Sequence, residues 1–168
     1  MRVTSFSLML VLAILLVAVT SDTRESRAQT DVQLTPTEVF DKIPAMRLHV
    51  QKNMTSCEES LLKITAAIPK GDYETIELEA KNIDEKYGIE SGMDPDDVAE
   101  YYGMISPEFI FQDQDLHQYS NALAQAAHEM ILDQTLVMYD LTIRSCVNCH
   151  YDWAGEKFPS LAKSVTEY

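Results

Sequence analysis

A cysteine and histidine motif near the C-terminus has the most specific chemistry in this chain. Cys146 and Cys149 are separated by two residues, and His150 follows the second cysteine directly. In a CxxCH sequence each thiol can add to one vinyl group of a porphyrin, and the imidazole can bind the iron from the proximal side. The motif therefore predicts one covalently attached haem c.

The residues around this motif repeat with a helical period. Residues 146, 149 and 150 then stand at i, i+3 and i+4 of a helix, so both sulfurs and the imidazole leave it on one face. One flat ligand can contact all three. The stripe is formed by Leu132, Leu136, Tyr139, Ile143, Cys146, His150 and Trp153.

Three other interpretations of the two cysteines fit the sequence less well. A zinc site needs a second ligand pair at suitable spacing, and the only other cysteine, Cys57, lies far upstream with no CxxC or HxxxH pattern around it. A thioredoxin-type pair would follow a strand in a βαβ pattern. A disulfide between Cys146 and Cys149 is sterically poor within a helix.

The N-terminus predicts export, which haem attachment outside the cytoplasm also requires. Arg2 is followed by an apolar run over residues 6–19, which is shorter than a spanning helix of about 20 residues and typical of a signal peptide. We expect residues 1–28 to be the signal peptide, with cleavage after Ala28 or alternatively near residues 20–21. Residues 29–168 would form one periplasmic or otherwise exported domain without stable membrane insertion.

The chain is strongly acidic. It has 27 acidic and 13 basic side chains and a formal net charge of −14. Such a charge disfavours nucleic acid and anionic membrane surfaces as partners. It suits a redox partner protein with a basic surface, although solubility is the simpler explanation of the charge.

Four apolar stripes of helical period and no strand alternation predict an all-α fold. The first helix should begin with a capping box in which Thr35 is the cap and Glu38 its partner, and Pro44 should interrupt it. Gly71 should end it. Its stripe is Met46, Val50, Met54, Cys57, Leu61, Ile64 and Ile68.

The remaining stripes complete an antiparallel four-helix bundle, a fold in which cofactors lie between facing helices. The second stripe runs from Tyr73 to Tyr87 and the third from Leu116 to Met130, after a start signal at Ser106. The fourth stripe carries the CxxCH motif. Residues 88–107 should form a long crossover with one or two helical turns beginning at residue 94.

The chain resembles cytochrome c′ and its low-spin, methionine-ligated relatives over most of its mature length. The resemblance lies in the C-terminal CVNCH at residues 146–150, the helix end at Pro69-Lys70-Gly71, and the stretch SPEFIFQD at residues 106–113. It implies a four-helix bundle with one covalent haem. It also implies a sixth iron ligand on the first helix, about four turns before the Lys-Gly end, where this chain has Met54. Family members commonly dimerise through their first two helices, so a homodimer is a further expectation.

Several of these residues also have a purely structural interpretation. A methionine on an apolar helix face is most often a core filler, which applies to Met54 and to Met46 two turns earlier. Cys57 is expected to be a small buried hydrophobe; the alternatives are a thiol near the distal pocket and an intermolecular disulfide. His49, His117 and His128 are expected to face solvent.

The resemblance and the motif together predict an electron carrier and not an enzyme. A haem iron ligated by His150 and Met54 would carry one electron, because methionine ligation stabilises the ferrous state and fills the sixth site. The alternative is a five-coordinate haem protein that binds nitric oxide or carbon monoxide, in which Met54 does not reach the iron. Peroxidase-type activity is not expected, because no distal histidine and arginine pair is evident.

Overall fold

The part of the chain that the structure describes is mostly helical and contains no strand. The computed structural model describes residues 33–164, and the predicted signal peptide lies outside them. A 3-10 turn covers Ile68–Lys70, and one isolated parallel bridge joins Leu34 to Ile105. The all-α prediction is confirmed. The helices are α1 (Pro36–Lys42), α2 (Pro44–Ala67), α3 (Tyr73–Lys86), α4 (Pro95–Met104), α5 (Pro107–His128), α6 (Leu132–Trp153) and α7 (Pro159–Ser164).

Local signals in the sequence set most helix starts. Thr35 caps α1 in a capping box, since its side chain accepts from the Glu38 N–H and the Glu38 carboxylate accepts from the Thr35 N–H. Pro44 is the first residue of α2, as its fixed φ and missing N–H favour. Ser106 caps α5 through the N–H of Phe109.

Two element boundaries differ from the prediction. The crossover between α3 and α5 contains ten residues of helix, α4, which is more than the expected one or two turns. Asp94 caps it, as the sequence indicates. Helix α5 ends at His128 and not at Met130, because Met130 adopts a positive φ of 55° and turns the chain into α6.

Alanine substitutions at Gly71 and Gly103 form a matched test of the backbone conformation at these two positions. Gly71 has φ +64°, whereas Gly103 lies within α4, and a Cβ at either position meets no atom within 4 Å. Gly71→Ala should destabilise the fold by about 1 kcal/mol, because the left-handed region is unfavourable for a residue with a Cβ. Gly103→Ala should stabilise it by about 0.5 kcal/mol through helix propensity. Urea unfolding measures both, and equal effects would contradict the assigned conformations.

Each long helix runs antiparallel to the next one along the chain, and side-chain contacts fix their registers. Ser60 of α2 donates to Glu79 of α3 at 2.7 Å, and Asn121 of α5 donates to Asp84 of α3 at 2.7 Å. The pairs α2–α3, α3–α5 and α5–α6 form extensive interfaces; within the described residues, α2 and α6 share no comparable one.

Two apolar clusters fill the interior. Cluster 1 is buried between the four long helices and consists of Cys57, Ile64, Ala67, Ile76, Ala80, Ile83, Leu116, Leu123, Ala124 and Ala127. Cluster 2 lies where α1, α4 and the start of α5 meet, and consists of Val39, Ile43, Met46, Ile89, Tyr101, Ile105 and Phe109. The end of α6 contacts both, which places the CxxCH motif between them.

The buried face of α2 differs from the predicted stripe. Met54 is 38% exposed, and Asn53 is buried in its place. The reason is hydrogen bonding, because the amide of Asn53 donates to the carbonyl of Gly88, and Ser60 donates to the buried carboxylate of Glu79. These contacts turn the polar residues of α2 toward α3. The buried row is Met46, Asn53, Cys57, Ser60, Ile64 and Ala67.

The buried face of helix α6 is also rotated relative to its predicted apolar stripe. Its fully covered residues are Thr135, Thr142 and Ser145, whose hydroxyls donate to carbonyls four residues earlier in the helix and so need no other partner. Small side chains there allow α5 and α6 to pack closely. Of the predicted stripe, Leu132 and Leu136 are exposed, whereas the part from Tyr139 to Trp153 is half-buried on the adjacent flank of the helix.

Candidate haem-attachment site

The last turns of α6 present the CxxCH motif in the predicted arrangement. Cys146, Cys149 and His150 lie within α6, and all three are half-buried while Asn148 between them is exposed. Trp153 anchors the end of the helix, since its indole N–H donates to Gln112 of α5 at 2.6 Å. The structure therefore holds the two sulfurs and the imidazole on one helix face.

Both motif thiols are free and protonated. Burial raises the pKa of Cys146, and burial together with the charge of Asp113 raises the pKa of Cys149 to about 12. A reactive dithiol of the thioredoxin type needs a lowered pKa, which a helix start or a nearby cation supplies. The surroundings here have the opposite effect, so they do not favour thiol–disulfide exchange.

His150 offers a neutral imidazole. Burial, followed by the charge of Lys157, lowers its pKa, so the ring is uncharged at neutral pH and keeps a lone pair for a metal. Phe158, just before α7, stacks on the ring with centroids 4.5 Å apart and planes 19° from parallel. This contact restricts rotation of the imidazole.

We infer the register of α2 and α6 from one contact between them, and this register brings Met54 and His150 to similar levels. Thr65 of α2 is hydrogen-bonded to Tyr139 of α6 at 2.6 Å. Eleven residues is close to three helical turns, with a rise of about 16.5 Å. Counting eleven residues back from Thr65 reaches Met54, and counting eleven forward from Tyr139 reaches His150. Because the helices are antiparallel, both counts proceed in the same direction in space.

Cys57 and Cys146 lie between the Thr65–Tyr139 contact and the level of Met54 and His150, and they support the same register. Cys57 of α2 and Cys146 of α6 contact the same cluster, and the pKa of Cys57 is raised to about 12 by burial, then by Cys146 and Asp113. Cys57 is thus a buried, protonated thiol, in keeping with the structural interpretation. Met46 is wholly buried in cluster 2, which fits a core filler.

Polar groups that the sequence analysis did not single out lie beside Cys149. The side chains of Asp113 and His117 are only 17% and 18% exposed, and Tyr101 is fully buried. Among residues 33–164, the hydroxyl of Tyr101 and the Nε2 of His117 are buried without a hydrogen-bond partner. Orphaned polar atoms are rare in a protein core and call for a specific explanation. The expected solvent exposure of His117 is therefore wrong, and no short sequence pattern indicated its burial.

The other two histidines have structural contacts. His49 is half-buried, and its Nε2 lies 3.0 Å from the amide nitrogen of Asn53. The expectation that it faces solvent is therefore wrong. His128 is 74% exposed beside Glu77, as expected. Among residues 33–164, no contact described for the CxxCH residues involves His49 or His128.

An open groove of about 220 Å³ runs between α5 and α6 on their outer side. It is lined by Gln112, Asp115, Tyr119, Leu141, Arg144, Ser145 and Asn148. It includes neither motif cysteine, nor His150. We therefore place the candidate site on the other flank of α6, which faces α2.

The donor set fits a covalent c-type haem. Two free thiols, a neutral imidazole and a thioether are the groups that such a cofactor takes from a protein. Among residues 33–164, no three His, Cys, Asp or Glu side chains converge as a metal-ion site. In the same range no helix combines the length and apolar character needed to cross a membrane.

Comparison of the chain with protein-family models, curated proteins and solved structures gives no match. The resemblance to cytochrome c′ rests on the motifs of the chain itself, namely residues 146–150, 69–71 and 106–113.

Proposed function

We propose that this protein is an exported c-type cytochrome that carries one electron. Cys146 and Cys149 hold one haem through thioether bonds, His150 is its proximal ligand and Met54 its distal ligand. The observation that carries this proposal is the register of α2 and α6, which puts Met54 and His150 at one level on facing flanks.

The proposed architecture is the antiparallel four-helix bundle of the cytochrome c′ family. Helices α2, α3, α5 and α6 supply the four members, and α4 lies in the long crossover. Helices α2 and α6 share no extensive interface within the described residues, and their half-exposed apolar stripes turn toward each other. A planar cofactor inserted there would cover the stripes, which accounts for apolar residues that the interior does not use.

The side chains around the proposed haem have separate roles. Bound haem supplies the one-electron couple of its iron. Met54 would favour the reduced state and exclude exogenous ligands, because a thioether is a soft donor that fills the sixth position. Phe158 keeps the His150 ring in one orientation and covers one of its faces. Clusters 1 and 2 keep water from the inner edge of the site.

The partner proposed is another redox protein, whose contact surface would be basic to complement the net charge of −14. No role with nucleic acid is proposed. Export by a signal peptide over residues 1–28 and formation of a homodimer remain predictions, since neither concerns the described contacts.

A second function is favoured by the exposure of Met54. Its side chain is 38% exposed. If the thioether does not bind the iron, the protein would be a five-coordinate haem protein that binds nitric oxide or carbon monoxide. The two functions share the attachment residues and differ only in the sixth ligand.

The visible spectrum of the reduced protein, with and without carbon monoxide, tests the proposal. We expect a low-spin spectrum and slow reaction with carbon monoxide, because the thioether must leave before the gas can bind. A high-spin ferrous spectrum with rapid binding would replace electron transfer by gas binding. Protein matured in a host that attaches c-type haem, yet isolated without haem, would refute both.

A further inference from the structure

The carboxylate of Asp113 occupies a central interior position on α5. Its side chain is 17% exposed, and its charge raises the pKa of groups on three other helices. The neighbouring Gln112 accepts a hydrogen bond from Trp153 of α6 at 2.6 Å, so Asp113 lies at the level of the last turns of α6, and its charge acts on the thiols of α2 and α6 and on the phenol of α4. The titratable groups that face it are Cys57, Glu90, Tyr101, Tyr102, His117 and Cys149.

Within residues 33–164, no lysine or arginine pairs with Asp113. The nearest group of opposite potential charge is His117, whose Nε2 lies 3.8 Å from the Asp113 Oδ1, beyond hydrogen-bond distance. Burial raises the pKa of Asp113, the charge of His117 lowers it, and that of Glu90 raises it. The carboxyl is thus poised to gain a proton more readily than an exposed aspartate.

The imidazole of His117 is held in one orientation by a hydrogen bond. Its Nδ1 lies 3.0 Å from the carbonyl oxygen of Asp84, and a carbonyl can only accept, so Nδ1 carries the proton. The other ring nitrogen, Nε2, is the one that faces Asp113. Within the described part of the chain, that Nε2 and the hydroxyl of Tyr101 have no hydrogen-bond partner, so these two buried polar atoms are available to a proton and its hydrogen bonds.

We propose that Asp113 takes up one proton when the haem attached at Cys149 is reduced, so that the protein carries an electron and a proton together. This inference rests on the proposed function. The electron comes from a one-electron donor protein and the proton from water; the product is the reduced haem protein with Asp113 as a neutral carboxylic acid. Oxidation returns the electron to an acceptor protein and the proton to water.

The direction of the coupling follows from charge. The oxidised iron has one more positive charge than the reduced iron, so it stabilises the Asp113 carboxylate and holds its pKa lower. A unit charge roughly 10 Å away at an effective dielectric constant of about 20 changes an acid constant about tenfold. The midpoint potential should be constant below the pKa of the oxidised state, fall as pH rises, and become constant again above the pKa of the reduced state.

The experiment is a redox titration of the haem-loaded protein at a series of pH values. From one plateau to the other we expect the equilibrium constant for reduction to fall about tenfold in total, which is about 59 mV for one electron. Asp113→Asn should abolish this dependence. Asp115→Asn removes the same charge from an exposed position on the same helix and should retain it.

Two further measurements distinguish the role of Asp113 from that of His117. His117→Gln should move the falling segment to higher pH, because the charge of His117 lowers the pKa of Asp113. Infrared difference spectra of the unaltered protein should show a carboxylic acid C=O band that appears on reduction. This band keeps the test decisive if Asp113→Asn does not fold.

The outcomes are distinct. A haem protein whose potential does not change with pH, or whose dependence survives Asp113→Asn, would overturn this inference and leave the electron carrier intact. Loss of the dependence in His117→Gln but not in Asp113→Asn would also overturn the assignment. Protein without covalent haem would overturn the proposed function and this inference together.

Discussion

The double variant Cys146→Ala, Cys149→Ala will contain no covalently bound haem. The two thiols are free, protonated and on one face of α6, and they are the only attachment points that the motif offers. Acid-acetone extraction of the denatured protein, followed by haem quantification, measures the loss. We expect complete retention in the unaltered chain and complete release or absence in the variant.

The same variant should also be less stable. A cofactor between α2 and α6 would fill space that the side chains of the chain leave unpacked, and a ligand that binds only the folded state stabilises it. Each kcal/mol lost should lower Tm by roughly 2–4 °C in a domain of this size. Circular dichroism during heating gives the change in Tm.

Cys57→Ala is the matched control. Cys57 is buried in cluster 1 and lies next to Cys146, but it is outside the motif. This variant should keep covalent haem, although it loses some packing. Haem retained through extraction in the double variant would refute the attachment sites, and an unchanged Tm in that variant would show that the helices close without haem.

The helix boundaries could be predicted from the sequence because their causes are local. Thr35 with Glu38, Pro44, Gly71 and Ser106 act through hydrogen bonds or backbone angles within a few residues of themselves. Each of them begins or ends a helix where the sequence indicated. The same holds for Asp94 at the start of α4, whose length was underestimated since its apolar residues follow no long stripe.

The orientation of each helix could not be predicted in the same way. Periodicity locates an apolar stripe, but which part of the stripe is buried depends on partners far away in the sequence. Asn53 turns toward α3 because the carbonyl of Gly88 accepts its amide hydrogen, and Ser60 does so because Glu79 accepts its hydroxyl hydrogen. Met54 is consequently placed on the flank of α2 that faces α6.

The candidate site likewise contains residues whose placement could be predicted from the sequence and residues whose placement could not. Cys146, Cys149 and His150 are adjacent in sequence, so their shared face follows from helix geometry alone. The buried position of Asp113 and His117 arises from the packing of α3, α4 and α6 around α5, which no short pattern records. An acidic residue and a histidine four positions apart are more common on a solvated helix face.

Met54→Leu is expected to change the coordination of the haem iron without changing the packing of α2. The substitution removes the thioether donor and roughly keeps the volume. The ferrous iron should become high-spin, and the potential should fall because a ligand that favours the reduced state is lost. The apparent affinity for carbon monoxide should rise at least about tenfold, since even ~1.4 kcal/mol of competing ligation has that effect.

Met46→Leu is the control for the chemistry of a methionine on α2. It makes the same change two turns earlier, where Met46 is fully buried in cluster 2 and contacts the interior. We expect its spectrum and its reaction with carbon monoxide to match those of the unaltered protein. If Met54→Leu leaves the spectrum unchanged because the unaltered ferrous protein is already high-spin, Met54 is not a ligand and the gas-binding function applies. If Met46→Leu alone converts the iron to high spin, the distal ligand lies at the buried end of α2, and the register inferred from the Thr65–Tyr139 contact is wrong.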